Sequence, residues 1–135
     1  MLAGVNGLRI FATKWFARFA RQERIDDGRM CEAVSQAENG SIDARLGGDL
    51  IEQRVARSGG GRSGGYRVLI TYQVARRSVF LYGFAKNERD NIGPQRLAEL
   101  KDLAEAFMDR TDAELDKMVS EAKVMEIEYG PQKQE

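Results

Sequence analysis

The chain has 135 residues, of which 42% are hydrophobic and 31% charged, and its acidic and basic side chains are equal in number. This composition fits one folded domain with a modest core and excludes a disordered chain, while the longest apolar run, residues 79–85, is far too short to cross a bilayer. The absence of histidine and the single cysteine exclude the usual zinc sites and a Ser-His-Asp triad, so any catalysis must use lysine, arginine, carboxylates or tyrosine.

The N-terminal part predicts a strand and a first helix. Residues 8–12 have the pattern of a short strand, after a loose leader over residues 1–7 that lacks the features of a signal peptide. Thr13 follows the strand, and its side chain can cap a helix. The apolar positions of this helix form an aromatic stripe that we assign to core packing: Trp15, Phe16, Phe19 and Ala20.

A second helix is predicted to begin at Asp26 or Asp27, either of which can cap it, and to end near Glu38. The connection between the two helices is very short, so they are expected to form a helical hairpin. Cys31 lies within the second helical pattern and is expected to be a small buried hydrophobe. A lone cysteine suits a reducing cytoplasm.

Three strand-like segments follow a loop over residues 41–49. The first covers residues 50–57. The second covers residues 66–74 and alternates between apolar and mixed positions, which is typical of a strand with one face on a core. The third covers residues 78–85 and is reached through a short hairpin turn over residues 75–77.

The C-terminal part predicts two more helices. Pro94 can occupy the first turn of a third helix. Thr111 or Asp112 can cap a last helical segment over residues 113–122, and the polar end from residue 125 onward is expected to fray.

The element order places the chain in the α+β class. We expect the N-terminal hairpin to cover one face of a small, mostly antiparallel twisted sheet, with helices at the C-terminus. All 135 residues are predicted to form one domain, with its core at about residues 8–108 and a C-terminal helix and tail over residues 109–135.

Positive charge is concentrated between residues 54 and 89, where Glu88 is the one acid. A basic patch of this size is typical of a surface that binds a polyanion, although ordinary solvated arginines would give the same composition. The acidic C-terminal part, residues 91–135, could screen the patch internally. The basic residues of the patch are Arg54, Arg57, Arg62, Arg67, Arg76, Arg77, Lys86 and Arg89.

A glycine-rich segment over residues 58–65 lies inside this patch, with arginines on both sides. It is not a phosphate-binding P-loop, because no Gly-Lys-Ser/Thr follows and no helix opens after it. Two interpretations stay open: a loop that lets backbone phosphates approach closely, or a plain flexible turn.

Two stretches, together with residues 11–19, resemble a known family. One is Leu-Ile-Glu-Gln-Arg-Val-Ala-Arg at residues 50–57, followed by Gly-Arg-Ser-Gly-Gly-Tyr-Arg at residues 61–67; the other is Phe-Ala-Lys-Asn-Glu-Arg-Asp-Asn-Ile at residues 84–92. The combination is similar to the RelE/HigB branch of the RelE/ParE toxin superfamily. The resemblance implies a cytoplasmic toxin with an antitoxin partner. The ribonuclease members of this superfamily cut messenger RNA in the ribosomal A site, without a metal or cofactor.

The resemblance also implies site residues. The family's basic positions match Arg54, Arg57, Arg62 and Arg67, and its Lys-x-Glu-Arg element matches Lys86, Glu88 and Arg89. We therefore expect catalytic roles for Arg67, Lys86, Arg62 and Glu88, and RNA binding by Arg54, Arg57, Arg89, Arg76 and Arg77. Some ribonuclease members carry a further basic residue where this chain has Asn87, and some use a tyrosine shortly after the element that is absent here.

Metal-free RNA cleavage can use the ribose 2′-OH as nucleophile, and the protein must then neutralise the phosphate and move two protons. We assign the phosphate to Arg67, with Arg54 and Arg62 in support, because a guanidinium can grip two phosphate oxygens. Lys86 is the candidate proton carrier, and Glu88 is either a base or the partner of an arginine. In a regular strand Arg54 and Arg57 would point to opposite faces, unless a bulge lies near residue 56.

Two alternatives remain open at this point. One is a non-catalytic toxin of the same superfamily that poisons gyrase, and the other is a plain nucleic-acid-binding module without chemistry. The antitoxin is expected to cover the basic patch with an acidic or helical segment, or to displace the final helix.

Overall fold

The computed structural model of the chain describes residues 8–56, 65–74, 76–86 and 92–128. These residues form an α+β fold, as predicted. The strands are β1 (Arg9–Thr13), β2 (Ala44–Gly47), β3 (Leu50–Val55), β4 (Tyr66–Thr71), β5 (Arg77–Ala85) and β6 (Val124–Ile127). The helices are α1 (Lys14–Glu23), α2 (Asp27–Glu38), α3 (Pro94–Asp109) and α4 (Asp112–Ser120).

The six strands form one sheet in the order β2-β3-β4-β5-β1-β6. The sheet is mixed: β1 runs parallel to β5, and the other neighbouring pairs in the described residues are antiparallel. A bulge in β5 leaves Leu81 without an opposite residue, because Leu69 pairs with Tyr82 and Ile70 with Phe80. Because β1 lies next to β6 in the sheet order, the first and last strands of the fold are neighbours, although they are far apart in the chain.

Helices cover both faces of the sheet. On one face α1 and α2 bury Phe16 and Val34 against inward side chains of the strands, such as Val68. On the other face α3 and α4 bury Phe107 and Leu115 in a second apolar cluster. The sequence predicts helices on one face, and the structure adds the second layer because β1, β4 and β5 carry apolar side chains on both faces.

Local signals begin the helices where the sequence predicts them. The side chain of Thr13 accepts a hydrogen bond from the Phe16 amide at the start of α1, and Asp26 accepts from the Arg29 amide at the start of α2. Thr111 begins α4 with reciprocal bonds to Glu114, in which each side chain accepts from the other residue's amide. Pro94 occupies the first turn of α3.

Two strands lie where the sequence predicts none. β2 lies inside the predicted loop over residues 41–49, and β6 lies in the region predicted to fray. Each has only four residues, which is too short for a clear period-two pattern. β2 pairs with β3, and β6 is held against β1 by burial of Val124 and Ile127.

Three smaller expectations are also corrected. Val74 is 79% exposed and lies beyond the end of β4, so the alternation predicted through residue 74 stops at Thr71. Trp15 is nearly half exposed, and stacks on Tyr82 with ring centroids 4.8 Å apart, whereas the sequence predicts core packing. Cys31 is half-buried, and its thiol donates to the Glu128 carbonyl oxygen at 3.2 Å.

Among the described helices, none is long and apolar enough to cross a membrane.

Candidate nucleic-acid interface

One end of the sheet brings together the ends of three neighbouring strands. β3 ends at Val55, β4 begins at Tyr66 and β5 ends at Ala85, and the register pairs Val55 with Tyr66 and Tyr66 with Ala85. Opposed Cα atoms in antiparallel strands are about 4.5–5.5 Å apart. Side chains that flank these three positions therefore lie close together.

Gly65 allows this close approach. A Cβ atom at residue 65 would lie 2.7 Å from the Val55 carbonyl oxygen, which is closer than backbone atoms tolerate. The carbonyl oxygen of Gly65 accepts a hydrogen bond from the Lys86 amide at 2.8 Å. The glycine thus holds the start of β4 against the end of β3, and fixes where Lys86 leaves the sheet.

A cavity of about 440 Å³ opens at this end of the sheet. Arg54 of β3, Arg67 of β4 and Lys86 after β5 line it from the strand side. Arg54 and Arg67 are opposite each other in the register. The structure thus brings together three of the basic residues that the sequence assigns to the site.

Arg67 is held by a carboxylate. Its Nη1 donates to Glu52 Oε2 at 2.6 Å, and both side chains are partly shielded from solvent. Its Nε is buried and has no hydrogen-bond partner within the described part of the chain. The guanidinium is therefore fixed in direction by Glu52, with a donor left unsatisfied.

The other two cationic groups are free to bind a ligand. In the described residues, neither the Arg54 guanidinium nor the Lys86 amine forms an ion pair or a side-chain hydrogen bond. The Asp43 carboxylate, which also lines the cavity, accepts instead from the backbone amide of Arg54 at 2.8 Å. These two free cations next to a fixed arginine make the strand wall suited to an anion.

Arg76 and Arg77 are not brought to this cavity. Arg77 begins β5 and Lys86 follows its end, so a nine-residue strand separates them by about 25–30 Å at roughly 3.3 Å per residue. Arg77 is buried and donates to the carbonyl oxygens of Phe107 and Arg110 at the end of α3, and to Asp112. Burial, followed by the charge of Arg76, lowers the pKa of the Arg77 guanidinium.

Arg76 also contacts α3. Its Nη2 donates to the Met108 carbonyl oxygen at 2.9 Å. The structure therefore gives both arginines a place at the C-terminal end of a helix, where cations are favoured. The remaining predicted site residues lie outside the described part of the chain: Arg57, Arg62, Glu88 and Arg89. Most of the glycine-rich segment, residues 58–65, also lies outside it.

Among the described residues, acids of the C-terminal part pair with Arg9 and with Arg77 of the basic patch, and none forms an ion pair with Arg54, Arg67 or Lys86. Asp116 and Glu126 pair with Arg9 of β1, at 2.7 and 2.9 Å. The hydrogen bond to Glu126 is the largest influence that raises the pKa of the Arg9 guanidinium. Asp112 pairs with Arg77. These carboxylates join the C-terminal elements to the sheet at the end away from Lys86.

Sequence reasoning missed the carboxylate that holds Arg67 and the α2 residues that line the cavity. Glu52 could have been found, because it shares a strand face with Arg54 two residues later. The α2 residues that line the cavity include Arg29, Glu32 and Gln36. Their spacing indicates one face of a helix, but their mixed charges are also typical of an ordinary solvent-exposed face. Only the packing of α2 on β3, where Gln53 donates to the Ala33 carbonyl oxygen, brings this helix to the cavity.

The described residues contain no group of three or more histidine, cysteine, aspartate or glutamate side chains placed to hold a metal ion. In comparison with known families, residues 8–127 match the family model described as the RelE toxin of the RelE/RelB toxin-antitoxin system. No curated protein gave a match to the chain.

Proposed function

Because this chain belongs to the RelE toxin family, and so is a toxin with an antitoxin partner, we propose that it is an endoribonuclease that cleaves messenger RNA on the ribosome. The observation that carries the proposal is the convergence of Arg54, Arg67 and Lys86 on one cavity. A toxin that only binds a protein target has no need for three cations around a cavity of this kind.

The proposed reaction is an in-line attack of a ribose 2′-oxygen on the neighbouring phosphorus. The bond from the 2′-oxygen to phosphorus forms as the bond from phosphorus to the 5′-oxygen breaks, and the products are a 2′,3′-cyclic phosphate and a 5′-OH. A proton leaves the 2′-OH and another reaches the departing 5′-oxygen. The phosphate gathers negative charge in the transition state, so fixed cations lower the barrier.

Arg67 is suited to the phosphate. Its guanidinium is planar, stays charged and is already directed by Glu52, so little reorganisation is needed when charge develops. Arg54 stands opposite Arg67 in the register and can hold the same phosphate or a neighbouring one. Arginine stays protonated, which leaves Lys86 as the proton carrier among the described cations of the cavity.

The test is a translation reaction with purified ribosomes and a defined message, in which cut ends are mapped by primer extension. We expect the wild type to cut within the A-site codon. Arg67→Ala should lower the cleavage rate about a hundred- to a thousandfold, the usual cost of removing one main charge-stabilising donor. Arg18→Ala is the matched control, because it removes the same charge from an exposed position on α1 away from the cavity.

Other results would assign the chain to a different class. A folded wild type that leaves the message intact would contradict the endoribonuclease proposal. If it also bound no RNA, a protein target such as gyrase would take its place. Graded loss of RNA affinity in Arg67→Ala, with no cleavage by the wild type, would identify a plain nucleic-acid-binding module.

A further inference from the structure

The side chains of Arg54 and Arg67 lie on the face of the sheet that α3 and α4 cover. Gln53, the residue before Arg54 in β3, donates to the Ala33 carbonyl oxygen of α2, so Arg54 points to the opposite face. In β4, Leu69 packs in the apolar cluster of α3 and α4, and Arg67 shares its face two residues earlier. The two arginines are opposite each other in the register and therefore lie side by side on this face.

An aromatic side chain completes a row with these two arginines. The register places Arg54 opposite Arg67 and Arg67 opposite Phe84, so the row crosses three neighbouring strands. Directly opposed residues have Cβ atoms about 4.5–5.5 Å apart on one face of a sheet. Phe84 packs against the same apolar cluster as Leu69, while a Cβ atom at Gly83 would meet the rings of α1 on the other face. Packing and register thus agree on the face that Phe84 occupies.

The Phe84 ring is supported from within the fold but is not fully covered. It is half-buried, whereas every residue of β5 before Tyr82 is buried. The rings of Phe84 and Tyr82 have centroids 6.4 Å apart. Tyr82 is itself held in place, because the Trp15 ring stacks on it at 4.8 Å and the Arg96 guanidinium lies over it at 5.0 Å. Phe84 therefore offers a ring of fixed position, part of which is exposed to solvent.

The row offers the two kinds of contact that a single strand of RNA can use. Guanidinium groups bind phosphates, and the flat face of an aromatic ring stacks on a base. One ribose joins a phosphate to its base, so a phosphate held by Arg67 brings a base within reach of the neighbouring strand. Lys86 follows Phe84 by two residues and adds positive charge at the same end of β5. A wholly apolar partner would cover the ring but would not use the cations beside it.

We propose that Phe84 is the base-stacking residue of the RNA site, and that it binds the base attached to a phosphate held by Arg67. This inference rests on the proposed function, since it takes RNA to be the ligand. Every base has a flat face, so the contact orients the RNA without selecting its sequence. A ring under the base and a cation on the phosphate fix the direction of the ribose between them, which an in-line attack requires.

The experiment compares two RNAs that differ only in their bases. One is a 2′-O-methyl tetranucleotide of adenosine, and the other is the same backbone without bases, each labelled for fluorescence anisotropy. Both carry the same phosphates, and the methyl group removes the nucleophile, so neither is cut. Because the proposed contacts all come from this chain, the ribosome is left out of the measurement.

The proteins are the full-length wild type, Phe84→Leu, Phe84→Tyr and Phe107→Leu. Phe84→Tyr keeps the aromatic ring. Phe107→Leu is the matched control, because it makes the same change in the same apolar cluster, in a buried residue whose carbonyl oxygen binds Arg77 at the other end of β5. Thermal melting checks that each variant is folded at the assay temperature. Phe84→Met is a second replacement without a ring, and serves if the leucine variant does not fold.

We expect the wild type to bind the adenosine RNA about five- to a hundredfold more tightly than the abasic RNA, the range that one stack of a base on an aromatic ring contributes. In Phe84→Leu this ratio should fall toward one, because the stack is lost while the phosphate contacts remain. Phe84→Tyr and Phe107→Leu should keep the wild-type ratio, whatever their overall affinity.

A wild type that binds both RNAs equally, a ratio that survives in Phe84→Leu, an equal loss in Phe107→Leu, or failure to bind either RNA would overturn the stacking role. The cleavage reaction on ribosomes is a separate readout. If message is cut while the binding ratio ignores Phe84, the stacking role alone is wrong. If the ratio depends on Phe84 while no message is cut, the endoribonuclease proposal alone is wrong.

Discussion

The Arg67 guanidinium and the Glu52 carboxylate meet at 2.6 Å, with side chains that are 30% and 18% exposed. A pair at this depth is screened less than a surface pair, and each partner has lost part of its hydration. Removal of either partner leaves the other charge partly desolvated and without its ion-pair partner. Glu52 is thus a positioning residue for Arg67, and its contribution can be measured as a change in the free energy of unfolding.

We expect Glu52→Gln to lower the free energy of unfolding by about 1–2 kcal/mol, between the values typical of surface and of buried pairs. A double-mutant cycle with Arg67→Met, followed by urea denaturation, should give a coupling energy of about 1 kcal/mol. Glu105→Gln combined with Arg67→Met is the control, and should be additive. A Glu52–Arg67 cycle that is additive within about 0.5 kcal/mol would show that the pair is not coupled.

At the scale of elements, Arg77 joins the start of β5 to the end of α3. Its buried guanidinium donates to the carbonyl oxygens of Phe107 and Arg110 there, and to the Asp112 carboxylate. Arg77→Met should destabilise the fold by about 2–4 kcal/mol, because it removes three hydrogen bonds that one buried guanidinium makes to the end of α3 and to Asp112.

The comparison for Arg77→Met is Arg76→Ala, which removes an exposed arginine with a single bond to the same helix end. Its cost should be about 1 kcal/mol or less. Thermal or urea unfolding measures both variants. Equal losses would contradict the role given to the buried guanidinium, and a large loss of RNA affinity in folded Arg76→Ala would restore that residue to the RNA-binding surface.

The packing of α1 on β5 depends on a glycine. A Cβ atom at Gly83 would lie 2.6 Å from the Phe19 ring, and 3.2 Å from the Phe16 ring. Gly83→Ala should therefore destabilise the protein by about 1–3 kcal/mol through overpacking. Gly28→Ala, in the first turn of α2, meets only an ordinary contact at 3.5 Å, and should be neutral or stabilise by up to about 1 kcal/mol. Melting temperatures that rank the two in the opposite order would contradict this packing.

The elements also show which features a sequence can predict. Caps such as Thr13 and Asp26 are predictable because each bonds to an amide three residues away. β2 and β6 are not, because strands of four residues form only where a distant partner and a buried face exist. The role of Arg77 is equally hidden, since the carbonyl oxygens that bind it lie about 30 residues further along the chain.

At the scale of the whole molecule, the charge separation seen in the sequence becomes a separation in space. Arg54, Arg67 and Lys86, three of the residues that the sequence assigns to the site, line one cavity at one end of the sheet. Three C-terminal acids, Asp112, Asp116 and Glu126, pair with Arg9 and Arg77 at the other end. The sequence could not assign Arg76 and Arg77 to that second group, because net charge along a segment does not report which end of a strand each residue occupies.

The position of β1 between β5 and β6 has a consequence for synthesis. Arg9 and Glu126 are neighbours in the sheet but 117 residues apart in the chain. A nascent polypeptide cannot complete its sheet until the last strand has left the exit tunnel, and contacts this distant form slowly. Chains that stop before β6 will expose the open edge of β1, which is a template for aggregation. If translation is interrupted early, the fragments should therefore be insoluble or degraded rather than toxic.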